Sequence, residues 1–523
     1  MKKIGLALCL VSAVLVPGLG WAQPAASPEE AGIVAITGDV APWRSFGYDV
    51  VNFDNVWILG LNNGSFVAFK RGMTMDKAGE LGGTEFLLFG PDGALITSQP
   101  IRGSFNKDGK PTPYVDYAGT GLSWGGFTLG AAADRARGTG FVVHNLGENA
   151  ETFGLDYADE VGDDAYSMVQ LFDNAGNPQG HHYNAFGALT GEPGDYRDIG
   201  AILLSNGDLV ALGENRQQFD PLLESVGASA TEVVMAVILG PDGTVRKAPF
   251  VVHTGEDGQY LGGSTGAVFQ NMTAFEGGFV IDYSAGIRWY GNDGTPLTPV
   301  QPDHAELAGL EMFPDFFGYT LSANTGGRGD NMALASNGKD LVVKSAKIEA
   351  GQEAAGILIY YNTDGTVKHW VRFDDVDLDA EPPQVDRTFC DMDTRGNVFV
   401  VWEDKRFGGL QDDGYSQIFG RFFNAAGEPY GPSFPVFQNW QAEPSTVDYG
   451  GGIGAVPRGD QTQPRCAIND QGAAVISAST LMPDLPDAVK QLSNAFGLVL
   501  TDVVVRFFEN PYAESALHNW PIY

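Results

Sequence analysis

The sequence predicts an all-β fold, a seven-bladed β-propeller of four-stranded antiparallel blades, and three observations predict it. A glycine turn opening onto an apolar run recurs seven times, at Gly64, Gly140, Gly207, Gly278, Gly338, Gly396 and Gly472, at intervals of 58 to 76 residues. Self-similarity at such a period is the mark of a repeat architecture, and short strands in each unit make that architecture a propeller. A second tight turn closes another apolar strand inside each of six repeats. Finally, 70 glycines and 29 prolines punctuate the 523 residues, while no long stretch carries the 3.6-residue apolar period of an amphipathic helix.

The elements follow in order. Lys2-Lys3, an apolar stretch from Ile4 to Val16 and Gly20-Trp21-Ala22 form the three parts of a secretory signal, so residues 1–22 are expected to be removed near Ala22. Cys9 follows Leu8 in the middle of the apolar stretch, which is the wrong place for lipidation. Residues 23–523 then read as one propeller domain, with blades near 50–101, 125–188, 197–253, 268–300, 328–375, 385–438 and 458–510. No later window approaches the roughly 20 consecutive apolar residues of a spanning helix, and the expected location is the periplasm or the exterior.

Six of the seven blades carry the same pair of turns. The first is Asn63-Gly64-Ser65-Phe66-Val67 in blade one and Asn206-Gly207-Asp208-Leu209-Val210 in blade three. The second is Phe89-Gly90-Pro91-Asp92-Gly93, Phe172-Asp173-Asn174-Ala175-Gly176, Leu239-Gly240-Pro241-Asp242-Gly243, Tyr290-Gly291-Asn292-Asp293-Gly294, Tyr361-Asn362-Thr363-Asp364-Gly365 and Phe423-Asn424-Ala425-Ala426-Gly427. Glycine supplies the positive φ of such hairpins. In the seventh copy the signal degenerates into Val503 to Pro511, as terminal repeats do where a ring closes. Closure is expected from an N-terminal strand, Ile33 to Ile36 or Val56 to Leu59, since a closed ring leaves no exposed edge.

Blade six spells out its strands: Arg387 to Met392 innermost, then Val398 to Trp402, Tyr415 to Phe423 and Ser433 to Phe437. Its runs Val400-Val401-Trp402-Glu403-Asp404-Lys405-Arg406, Tyr415 to Phe423 and Asn424-Ala425-Ala426-Gly427-Glu428-Pro429-Tyr430-Gly431 resemble the repeat of secreted and surface bacterial β-propeller proteins. Those repeats read V-V-W-x-D-x-R, I-Y-x-R-F and D/N-A-x-G-x-P-x-G. The resemblance is close over this one blade and schematic over the others. It implies a propeller outside the cytoplasm and carries no catalytic motif, because a fold does not define a function.

A net charge of −34 and a pI near 4.3 exclude nucleic acid and anionic surfaces as natural partners, leaving protein or neutral glycan partners and cations. Cys390 and Cys466 occupy the same place in their repeats, six residues before the blade glycine. In an exported protein such a pair reads either as a disulfide or as two separately buried thiols, since positions related by rotation about the ring need not face each other. Two acidic loops, with Asp156, Asp159 and Asp163 in one and Asp374, Asp375, Asp377 and Asp379 in the other, read first as solvated faces, and in the alternative as the oxygen ligands of a calcium site. Neither has EF-hand spacing.

Seven histidines limit catalytic readings. His181, His182 and Tyr183 are the candidate catalytic group, since a histidine or tyrosine can take the proton α to a carboxylate in polysaccharide lyases. No nucleophile elbow, P-loop, HExxH or CxxCH occurs. The repeats multiply a structural signature without concentrating a chemical one, so the sequence favours a non-enzymatic binding or interaction module at the cell envelope. A carbohydrate-active hydrolase or lyase working in the axial cleft is the alternative.

Overall fold

A computed structural model describes residues 44–50, 56–70, 74–75, 81–82, 85–100, 127–147, 166–184, 196–215, 233–253, 272–283, 286–299, 320–321, 332–350, 353–374, 384–405, 417–437, 446–448, 455–457, 461–479 and 500–513. Antiparallel sheets stand around one axis as the seven blades of a propeller. From the axis outward, blade one is Val56–Gly60, Phe66–Lys70, Glu85–Phe89 and Leu95–Pro100. Blade two is Phe127–Ala133, Gly140–Gly147, Tyr166–Asp173 and Pro178–Asn184. Blade three is Tyr196–Leu203, Leu209–Asn215, Val233–Leu239 and Val245–His253. Blade four contributes three described strands, Met272–Phe275, Gly278–Tyr283 and Gly286–Gly291, with a bridge from Tyr290 to Pro296 beyond them. Blade five is Met332–Ser336, Leu341–Ala350, Glu353–Asn362 and Val367–Arg372, and blade six Val385–Met392, Val398–Asp404, Gln417–Phe423 and Phe434–Pro435.

Blade seven corrects the expected closure. Its own strands are Gln461–Ile468, Gly472–Ser479 and Leu500–Glu509, and the fourth is the N-terminal Arg44–Val50, with Arg44 opposite Val505 and Val50 opposite Leu500; the short strands Thr74–Met75 and Leu81–Gly82 extend the sheet beyond it. Val56–Gly60 is instead the innermost strand of blade one. It leads directly into the first glycine turn, as every other innermost strand leads into its own, and Trp57 and Ile58 are buried there. Ile33 to Ile36 lie outside the described residues. The degenerate seventh copy now has a cause: Leu500–Glu509 receives its partner from the other end of the chain, so Asn510-Pro511 need not turn back into a fourth strand of its own.

Up-and-down strands force the turns after the first and third strands of every blade onto one face. These turns are short and self-bonded. Asn63, Asn206, Asp242, Asp293 and Asp364 each accept the backbone N–H two residues ahead, at 2.8 to 3.2 Å, the side-chain turn that favours Asx residues at these places. At the opposite face, the long-loop face, lie the strand ends that lead into the connections between second and third strands and between blades; long stretches of those connections, such as 101–126 and 148–165, lie outside the described residues. No helix among the described residues is long and apolar enough to cross a membrane.

The blades are cemented by aromatic pairs on register-matched positions of the second and third strands. Phe141 stacks on Phe172 and Phe279 on Tyr290, both with centroids 5.0 Å apart, and Phe399 on Phe422 at 4.2 Å. Neighbouring blades reach into these stacks: Phe86 of blade one packs edge-on against Phe141, and Phe508 of blade seven against Phe399. Such cross-strand pairs add to the burial energy of each ring.

Candidate functional site

The inner strands meet along the axis around a cavity of about 90 Å3. All seven contribute to its wall, among them Trp57, Ala132, Ala201, Thr273, Ala335, Cys390 and Cys466. Alanine is the commonest residue of the wall, where seven strands converge. A Cβ on Gly60 would come within 2.8 Å of the Ile468 carbonyl oxygen.

The short-turn end of this channel is closed by the first turn of blade two, which reaches across the axis. Asn62 Nδ2 donates to the Arg135 carbonyl at 2.9 Å, and Arg135 Nη2 donates to Asp391 Oδ2 at 2.5 Å and to the Ile468 carbonyl at 2.6 Å. On the far side, Gly338 of blade five lies so close that a Cβ there would stand 2.6 Å from the backbone nitrogen of Ala136. One turn thus touches blades one, five, six and seven. Burial pushes the Asp391 carboxyl above its usual range, with the Arg135 guanidinium pulling the other way. The other end of the axis lies at the long-loop face.

At that face, blades four, five and six gather charge. Inner strands of blades two, three, six and seven all carry a register shift near the long-loop end, between Thr128 and Gly130, Asp198 and Gly200, Val385 and Thr388, and Thr462 and Arg465. Bulges re-aim side chains, and of these four the blade-six shift alone spans two charged residues, Asp386 and Arg387. Asp386 binds Lys405 Nζ at 2.6 Å and Lys347 Nζ of blade five at 3.4 Å. Arg387 lies 3.7 Å from Glu403, which is 3% exposed. Deeper between blades four and five, Lys344 Nζ meets Asp282 Oδ2 at 2.7 Å. Burial alone would raise the Asp386 carboxyl, but Lys405, Lys347 and Arg387 outweigh it and hold the group below its ordinary value. Asp386 is thus kept ionised, beside a withdrawn second carboxylate and three cations. Such a set can hold a polar ligand, accept a proton and neutralise developing charge.

The residues singled out by the sequence fall elsewhere. His181, His182 and Tyr183 lie on the outermost strand of blade two, with Tyr183 in register with Val169 and three strands between them and the axis. Asp374 is buried and clamped by Arg372, whose Nη2 donates to Oδ2 at 3.1 Å. Asp156, Asp159, Asp163, Asp375, Asp377 and Asp379 lie outside the described residues, and no group of three or more histidine, cysteine or acidic side chains among the described residues is placed to hold a metal. Cys390 and Cys466 are free thiols, not a disulfide. Each sulfur turns to a carbonyl, Cys390 to Ala333 at 3.6 Å and Cys466 to Phe399 at 3.3 Å, as rotation-related positions on adjacent inner strands dictate.

The charged mouth was hidden from sequence reasoning. Glu403, Asp404 and Lys405 stand inside the repeat motif itself, and only the bulge and the neighbouring blade bring Asp386, Arg387 and Lys347 to them.

No protein-family model and no curated protein matches the chain. Among solved structures it is similar to a Pyrococcus horikoshii acylaminoacyl peptidase, at 9% identity and a TM-score of 0.36 over 83% of this chain and 51% of that one. The chain thus spans about half the length of that peptidase. It is also similar to the phage phi92 endosialidase, at 10% identity and a TM-score of 0.37 over 89% of this chain and 69% of that one. A third similarity is to an ulvan lyase, at 10% identity and a TM-score of 0.34 over 88% and 94%. Likeness at this level carries nothing about chemistry, and the propeller assignment rests on the strand topology.

Proposed function

We propose that this protein acts on a glycan at the long-loop mouth of the propeller, over blades five and six, as an extracytoplasmic carbohydrate-active hydrolase or lyase. The observation that carries this reading is the blade-six bulge, which turns Asp386 and Arg387 toward Lys347, Lys405 and Glu403. In this reading Asp386, held ionised, serves as base or nucleophile, and the cations steady charge that develops on the substrate. Large exposed apolar side chains among the described residues are Leu95, Ile96, Val245 and Leu297. They are distributed over blades one, three and four, which speaks against a broad apolar protein interface on the described surface.

The test is incubation of the purified protein with neutral and uronic acid polysaccharides, following both reducing ends and the absorbance of unsaturated products. Turnover by the wild type, reduced at least a hundredfold in a folded Asp386→Asn variant, is expected. Turnover unchanged in that variant would remove Asp386 from the chemistry. The second reading, a non-enzymatic binding module using the same mouth, is favoured by the pairing of every cation there with an acid. It predicts glycan retention by affinity electrophoresis without product.

A further inference from the structure

The closed end of the axial channel contains a group that neither the proposed chemistry nor the ring closure uses. Arg135 is nine-tenths buried, at 10% side-chain exposure. Its Nη2 is spent on Asp391 and on the Ile468 carbonyl, whereas its Nη1 is buried with no hydrogen-bond partner. A buried donor without an acceptor costs the full desolvation of that group, and the cost is larger for a charged one. Native interiors meet this cost with a water or an ion. Arg135 lines the axial cavity, which has about 90 Å3 of space beside it.

We infer that the closed end of the channel is a binding site for a small monovalent anion of halide size, held by Nη1 of Arg135. The one carboxylate lining the cavity, Asp391, already gives its Oδ2 to Arg135 Nη2 and to the Ile468 N–H, so it leaves Nη1 to an outside acceptor. A compact anion also fits the neighbouring wall, where Ala133, Ala201 and Gly200 leave room and the Ser336 hydroxyl is already engaged by the Ala274 carbonyl and the Gly338 N–H. A divalent anion lacks the second cation it needs, since Arg135 is the one basic side chain lining the cavity and is already paired with Asp391. The anion ties the plug turn of blade two to the inner strands and so stabilises the ring. This site is independent of the glycan reading, because it lies at the opposite end of the channel.

The experiment uses the whole protein exchanged into gluconate, with chloride or bromide titrated at constant ionic strength. A ligand bound only by the folded state raises the melting temperature logarithmically above half-saturation. For a chain of this size the rise is about 1 °C for each tenfold increase in halide. The rise is expected with chloride and bromide, to be absent with sulfate, and to be lost in Arg135→Gln. A crystal of the wild type grown from bromide should show an anomalous peak beside Arg135 Nη1, and this result does not depend on the variant folding. A water at that place without an anomalous peak, or a halide shift that persists undiminished in a folded Arg135→Gln protein, overturns the inference.

Discussion

Replacing Lys344 by methionine should cost this protein more stability than any surface change of equal size. Lys344 and Asp282 sit on the second strands of blades five and four, with side chains 0% and 1% exposed and 2.7 Å between Nζ and Oδ2. Methionine keeps most of the volume of the lysine stem, so the cavity term is small. What remains is a carboxylate deep between two blades without the cation that offsets its burial. Breaking one partner of a buried pair costs about 3–5 kcal/mol. At about 2.1 cal/mol/K of unfolding entropy per residue, a chain of 523 residues loses about 1 °C of melting temperature per kcal/mol, so the expected fall is about 3–5 °C. Differential scanning calorimetry of Lys344→Met, Asp282→Asn and the double variant measures it. The double variant should recover at least half the loss, because it no longer buries a carboxylate deprived of Lys344. A loss under about 1 °C for Lys344→Met, or a double variant no better than the single, would refute the account.

Three further outcomes are expected. Gly338→Ala should lower the melting temperature, because Gly338 has φ of +75° and a Cβ there meets the backbone of Ala136 and Arg135; strain and clash together are worth about 2 kcal/mol or more, and an unchanged melting temperature would mean that the blade-two turn does not pack there. The thiols should be inert in the folded state, since burial pushes Cys390 up to about 12 and Cys466 well above its ordinary value; iodoacetamide labelling followed by peptide mapping should find both modified only in denaturant without reductant, and failure to label even there would restore the disulfide. Burial, aided by Lys368, holds His369 below its ordinary value. The unfolded chain therefore takes up this proton first as pH falls from about 6.5, so stability should drop over the interval down to the lower folded value, and His369→Phe, which keeps the 4.2 Å stack on Tyr360, should flatten that slope. Equal slopes in variant and wild type would reject it.

What the sequence made legible was whatever repeats. Glycine marks the first hairpins of six blades because Gly64, Gly138, Gly207, Gly277, Gly338 and Gly396 hold φ between +69° and +94°, a conformation whose demand on residue type can be read without coordinates. Phe141, Phe279 and Phe399, each just after its turn, mark the second strands for the same reason: every blade must fill the same gap beside its neighbour. The closing strand escaped notice because Arg44–Val50 has no turn of its own to announce it. Its place is fixed by the empty outer edge of Leu500–Glu509.

The sites are illegible for the opposite reason, since each depends on a departure from the repeat. Asp386 and Arg387 become a charged mouth only through a bulge whose counterparts in blades two, three and seven lack a charged pair. Arg135 becomes the plug because one turn in seven bends over the axis to reach Asp391, 256 positions away in sequence. Periodicity averages such departures away, so the features that identify the fold from sequence suppress those that carry chemistry. In a ring built this way, function is to be sought where one blade breaks the rule that the others keep: blade six toward the long-loop face, and blade two across the short-turn end of the channel.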